Sequence, residues 1–256
     1  MMTQIQKAVL LKRLHIKGDP LILFNIWDAG SAQAIQEIGA KVIATGSWSV
    51  AASHGYDDGE KISFDLALAN LRRIITSVNL PVTIDLEGGY GKSPGEIQAI
   101  VTRVIEAGAV GINFEDQIVE GNGLYSIDEQ CSRIEAVREA AEHMAIPIFI
   151  NARTDIFLKV ISTNHNDEHI EEAIRRVSAY EKAGASGFFV PGLKDPKYIE
   201  KLCRLSPIPI NIMIQPGYPT SKKLAELGVA RISYGPRPYS LAINALKEAG
   251  RIALSK

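Results

Sequence analysis

The sequence predicts an α/β fold: a single (β/α)8 TIM barrel domain over residues 1–256, preceded by an extra N-terminal helix. Three observations predict it. Eight short β-branched runs alternate with stretches whose apolar residues recur at helical spacing. A glycine stands shortly before several of those runs. Polar residues collect at the C-terminal ends of the runs, where a parallel barrel keeps its chemistry. An open doubly wound sheet is the alternative, but its first βα turn would carry GxGxxG, and this chain has NIWDAGSA at 25–32.

The elements follow in order. Residues 3–15 read as a helix that closes the bottom of the barrel. The strands are expected at 21–25, 41–46, 81–87, 111–116, 146–154, 187–192, 208–214 and 230–235. Between them lie amphipathic stretches such as FDLALANLRRIITSV and HIEEAIRRVSAYEKAG. Gly39, Gly108, Gly184 and Gly228 suit helix ends that feed a parallel strand. SIDE, from Ser126 to Glu129, is a capping box opening the helix that contains Cys131, whose expected role is packing.

Composition narrows the partners. A formal charge of −1 over 256 residues, with no basic block, speaks against nucleic acid or an acidic membrane surface. The two cysteines lie too far apart in the sequence to suggest a disulfide framework or a zinc motif. The apolar run at the N-terminus is too short for a signal peptide and no stretch could span a bilayer, so a cytoplasmic protein is expected.

The strand ends carry Asn25 and Asp28, Ser47 and Trp48, Asp85 and Glu87, Glu115 and Asp116, then Asn151, Arg153 and Asp155, and finally Asn211 and Gln215; Asp57 and Asp58 follow the second strand. Asp116 and Asp155 are open to a second reading as helix caps. Residues i and i+2 of a strand share a face, so Asp85 and Glu87 are expected side by side, with Glu115 from the next strand as a third acid. Carboxylates that close repel unless a proton or a cation lies between them. An oxygen-only cluster suits a hard, partly hydrated cation, Mg²⁺ or Mn²⁺. Arg153 can grip a substrate carboxylate through two parallel hydrogen bonds, or pair with Glu115 or Asp155. TGSWS, at 45–49, offers backbone amides for a carboxylate or a developing oxyanion. No lysine ends a strand on the mouth side, which disfavours a Schiff-base aldolase, and the loops QPGYPTS and GPRPYS lack a glycine-rich phosphate grip.

In order and spacing, NIWDAGSA, GYDDG, PVTIDLEGGYG, AGAVGINFEDQ and NARTD resemble the isocitrate lyase/phosphoenolpyruvate mutase superfamily along nearly the whole chain. The resemblance implies a (β/α)8 barrel, Mg²⁺, 2-oxoacid chemistry through an enolate, and homotetramers of dimers that exchange their last helix. It puts Glu87 where the family usually has the aspartate that binds Mg²⁺ directly, and Asp58, Asp85 and Glu115 where acids hold the ion mostly through water. It makes Arg153 the substrate-carboxylate arginine, Ser47 and Trp48 further receivers of that carboxylate, and Asn211 a polar position on strand seven. Arg153, Asp58 and Glu115 are the expected catalytic set.

The chain departs from the family in the loop after strand four. The isocitrate and methylisocitrate lyases carry KKCGH there, whereas this chain reads EDQIVEGNGLYSIDEQ, without cysteine, lysine or histidine. Tyr90, Tyr125, His54 or a water remain as proton donors. Three functions stay open: a Mg²⁺-dependent lyase or decarboxylase cleaving a C–C bond of a small 2-oxo- or 2-hydroxy-(di)carboxylate; an enzyme of the P–C bond, a phosphonomutase or phosphonopyruvate hydrolase; and a barrel that binds a carboxylate without turning it over.

Overall fold

Eight parallel strands wind into a barrel in the computed structural model, which describes residues 2–255. They are β1 (Leu21–Leu23), β2 (Ile43–Ala44), β3 (Val82–Asp85), β4 (Gly111–Glu115), β5 (Phe149–Arg153), β6 (Gly187–Phe189), β7 (Ile210–Met213) and β8 (Arg231–Ser233). All eight expected strands are present, each shorter than its apolar run, because the ends of the runs bend away into loops.

Each strand from β2 to β8 pairs with its neighbour in sequence, and β8 pairs with β1. The seam between β1 and β2 is closed by a bridge from Ile26 to Thr45 and a 2.8 Å bond from Ile26 N to Ala44 O. Asn25 stitches across it. Its Nδ2 donates to Thr45 O on one side, and its Oδ1 accepts from the amides of Tyr234 and Gly235 on the other. A residue expected at the site is thus spent on closing the barrel.

The helices are α1 (Gln4–Arg13), α2 (Ala29–Glu37), α3 (Ser47–Ser53), α4 (Phe64–Ser77), α5 (Pro94–Glu106), α6 (Ile127–His143), α7 (Ile156–Lys159), α8 (Asp167–Lys182), α9 (Pro196–Leu205), α10 (Ser221–Glu226) and α11 (Arg237–Leu254). The chain leaves α2, α5, α8 and α10 through Gly39, Gly108, Gly184 and Gly228, all at positive φ, the left-handed exit a glycine permits. Ser126 caps α6 as expected. Asp28 caps α2 reciprocally with Ser31, which takes it out of the mouth's chemistry.

Helix α1 plugs the barrel's N-terminal end. Ala8 and Leu11 pack on Leu21, Leu23, Val42, Ala44, Val110 and Phe149. His15, just beyond α1, stacks on Phe149 at 3.9 Å and is bonded to Leu11 O. The main core lies between the strands and the outer helices, with Leu68, Val101, Val137, Val177 and Leu202 as its helical contributors. Helix α11 differs: Pro238 is its one buried residue, while Leu241, Leu246, Ile252 and Leu254 are exposed. Among the described residues no helix is long and apolar enough to cross a membrane.

Candidate active site

At the strands' C-terminal ends a 170 Å³ cavity opens between loops. One wall is polar, with Ser47, Asp58, Asp85, Asn113, Arg153 and Ser233; the other is apolar, with Trp48, Leu158, Phe189, Pro191 and Met213. Of the expected site residues, Ser47, Trp48, Asp58, Asp85 and Arg153 meet here, from the ends of β2, β3 and β5, whereas Glu87, Glu115 and Asn211 do not line the cavity and Asn113 and Ser233 were not expected in it.

Asp85 closes β3 and points its two oxygens to different fates. Oδ2 accepts the Ser47 amide at 3.1 Å, whereas Oδ1 is buried without a partner. The Ser47 amide, expected to face a substrate carboxylate, is thus tied to Asp85. Asp58 stands at the rim, open to solvent on one side. Desolvation of its other side, with the charge of Asp85, raises its pKa, while Ser47 and Arg153 oppose the rise.

Glu87 reaches its place by a different route from the one expected. β3 ends at Asp85, and Glu87 sits in the turn beyond it with φ of 52°, so the alternation of a strand does not govern it. The turn continues through Gly89, at φ 94°, where an added Cβ would stand 2.7 Å from the Phe114 ring. Only glycine fits there. Glu87 Oε2 accepts the amides of Gly59 and Glu60, both at 2.8 Å, and the Tyr90 hydroxyl lies 3.4 Å from Oε1. Glu60, which sequence reading passed over, returns the favour by accepting the Tyr90 amide. Glu87 therefore clasps the loops after β2 and β3 together. Burial, then the charges of Asp58 and Asp85, push its pKa up to about 8.

Arg153 ends β5 opposite Glu115, its register partner on β4. Nη1 lies 2.8 Å from Glu115 Oε2, and Asp155 takes Nε and Nη2 in a two-pronged pair. Burial works against the charge on Arg153, but Glu115 and Asp155 outweigh it and hold its pKa well above the ordinary value. Glu115 is thereby a partner of the arginine before it is a metal ligand. Asp155 precedes α7 without capping it. Asp116 is no cap either: it is buried against Arg176 and Tyr180 of α8, and accepts the Asp155 amide.

Asn211 lies one layer below the cavity, its Oδ1 accepting Ser233 Oγ and its Nδ2 buried without a partner. That layer also holds Asn151 and Arg231, the latter fully buried. Nothing in the run ARISYG separated Arg231 from a strand-edge cation, so its place in the barrel's interior was not legible. Of the expected proton donors, Tyr125 lies under Arg133 and His54 is bonded to Val50 O; Tyr90 alone lines a small neighbouring cavity with Asp85 and Glu87.

No three acids, histidines or cysteines among the described residues form a ready metal cage. The donor set fits a cation that keeps most of its water and rests on one or two carboxylates, as Mg²⁺ does. Asp85, with its orphaned Oδ1, and Asp58 at the rim would hold it; Oε2 of Glu87 is committed to the two amides of the turn, while its Oε1 has the Tyr90 hydroxyl at 3.4 Å.

Barrel and mouth together define an α/β enzyme-type scaffold with an acidic, single-arginine pocket. The model of the phosphoenolpyruvate phosphomutase family matches residues 11–254, and the chain belongs to that family. It is similar to a crystal structure from Burkholderia cenocepacia J2315, provisionally named a phosphonomutase, with 43% identity and a TM-score of 0.96 over 98% of this chain and 99% of that one. An uncharacterized protein of Mycobacterium tuberculosis is 34% identical over 93% of this chain and 86% of its own length. The oxaloacetate decarboxylase of Pseudomonas entomophila is 27% identical over 89% of this chain and 78% of its own. The relatives thus include both decarboxylases and phosphonomutases.

Proposed function

We propose that the chain is a Mg²⁺-dependent lyase or decarboxylase that cleaves a C–C bond of a small 2-oxo- or 2-hydroxy-carboxylate, with an enolate formed on the way. The observation that carries this reading is the pairing, in one small cavity, of the orphaned Asp85 Oδ1 with Arg153. The first is an acceptor in want of a cation; the second is a fixed cation suited to a carboxylate.

When bound, a divalent cation would supply positive charge beside the 2-oxygen, where negative charge collects as the bond breaks. The chain's own residues do the rest. Asp85 and Asp58 would hold the ion, and Arg153 would orient the C1 carboxylate. With a 2-oxo-carboxylate the electron pair of the breaking C–C bond moves toward the 2-oxygen as carbon dioxide leaves, and the enolate then takes a proton from solvent at carbon. Phe189, Pro191, Met213 and Leu158 form a wall that keeps water from the developing carbanion.

The family description and the Burkholderia relative favour a second reading, action at a P–C bond. A departing phosphoryl group asks for several cationic or amide donors. Arg153 is the one cation among the residues lining the cavity, which supports C–C chemistry instead. Incubating the protein with Mg²⁺ and either oxaloacetate or phosphonopyruvate, and following pyruvate and phosphate, separates the readings. Pyruvate from oxaloacetate is expected. Phosphate release without decarboxylation would overturn the preference, and silence on both, with a bound ligand, would favour a non-catalytic barrel.

A further inference from the structure

We infer that Asn113 is a hydrogen-bond donor to the substrate, and that Arg231 is the positioning residue which fixes its amide in that role. The inference rests on the reading of the cavity as a carboxylate site.

Arg231 is fully buried in the barrel and pairs with no acid. Its Nη2 donates to Asn113 Oδ1 at 3.0 Å, and its Nη1 has no partner. A buried, unpaired guanidinium is costly, and a fold gains no stability from it. Its chemistry, however, settles an ambiguity that an asparagine usually carries. Arginine only donates, so the Asn113 atom facing it must be the oxygen. Asn151 Nδ2 donates to the same oxygen at 2.9 Å. Two donors converging on Oδ1 forbid a flip and turn Nδ2 the other way.

That nitrogen has no protein acceptor and no burial without one, and Asn113 lines the cavity. By register Asn113 is also the partner of Asp85. An N–H donor therefore faces the substrate beside the acid expected to hold the cation. It is placed to bond an oxygen of the substrate without adding a full charge. A preorganised neutral donor of this kind strengthens as charge develops on its acceptor.

The test measures oxalate binding calorimetrically in the presence of Mg²⁺, with thermal unfolding in parallel, for three proteins: wild type, Arg231→Met, and the double variant Asn113→Leu/Arg231→Met. The two variants carry the same charge, so their difference isolates the donor. Arg231→Met, which frees the amide to turn, is expected to weaken oxalate about tenfold, and the double variant about a hundredfold. Neither should unfold at a lower temperature than wild type, since an unpaired buried charge has been removed. A merely structural role would give the reverse, lower unfolding temperature with oxalate affinity kept. Should the double variant not fold, Asn113→Asp gives Arg231 a carboxylate partner and is expected to fold and to lose oxalate. Affinity within about threefold of wild type in the folded variant would overturn the inference alone. Wild type that does not bind oxalate with Mg²⁺ would overturn the site reading beneath it as well.

Discussion

Arg153 and Asp155, two residues apart, are joined by parallel hydrogen bonds of 2.6 and 2.8 Å, and the same guanidinium still reaches Glu115. All three donor nitrogens are therefore engaged by acids of the chain itself. A carboxylate entering the mouth must share Nη1 or Nη2 with an acid already there. Lysine would keep the charge and lose the fork. Arg153→Lys is expected to lower kcat/KM roughly a hundredfold, which steady-state kinetics on oxaloacetate would show. Asp155→Ala leaves part of the buried charge uncompensated and should cost about 3 kcal/mol in urea unfolding. Unchanged stability would mean that Glu115 alone suffices.

The cation should announce itself without turnover. Ligand that binds only the folded state adds about 2.7 kcal/mol of stability at a hundred times its dissociation constant. Mg²⁺ is expected to raise the unfolding temperature of the wild-type protein and of Glu87→Gln, whose one amide oxygen can still accept the Gly59 and Glu60 amides. Asp85→Asn should abolish the response. A Glu87→Gln protein deaf to Mg²⁺ beside a responsive Asp85→Asn would reverse the assignment of the ligand.

Stability should fall on the alkaline side in metal-free buffer. Burial, followed by Asp58 and Asp85, raises Glu87 from 4.5 to about 8, so within that window the folded chain keeps a proton that the unfolded chain has lost. Stability therefore decreases as pH rises through it. His15 works in the opposite sense: burial, then Arg231, lowers it from 6.5 to about 3, so stability is lost as pH falls through that range. Between 4.5 and 6.5 the two slopes offset each other. Above 6.5 the His15 contribution is complete, and the share of Glu87 should remove about 2 kcal/mol by pH 8, in the same sense as the raised Glu115 beside it. Urea titrations at the two pH values test this, and Glu87→Gln should flatten the difference.

Helix α11 lacks a core of its own. We propose that its exposed Leu241, Leu246, Ile252 and Leu254 are covered by a second copy of the chain. Light scattering is expected to find an oligomer, and Leu246→Glu with Ile252→Glu to reduce its mass. A wild-type monomer at micromolar concentration would end the proposal.

The barrel was legible because its determinants are local. β-branched runs at 41–46 or 208–214 and glycines such as Gly108 and Gly184 state their preference through neighbouring residues and through φ, whatever lies across the molecule. Ser47, Trp48, Asp58, Asp85 and Arg153 were legible at the mouth for the same reason, since a strand end is a position in the chain, whereas Asn113 and Ser233 were not. Site geometry was less so. Glu87 was expected to follow strand alternation, yet a turn of positive φ at Glu87, Gly89 and Tyr90 carries it off the strand and into the amides of Gly59 and Glu60.

From the order of its residues alone, this chain determined an eight-stranded barrel and the acids and arginine that gather at its open end. The folded molecule decided how each is used: Asn25 closes a seam, Asp116 anchors α8, Asp85 keeps one oxygen free, and Arg231 reaches Asn113 from the far side of the barrel, 118 positions along the chain. Such pairings depend on closure of the sheet, which brings together residues whose separation in sequence carries no signal of contact.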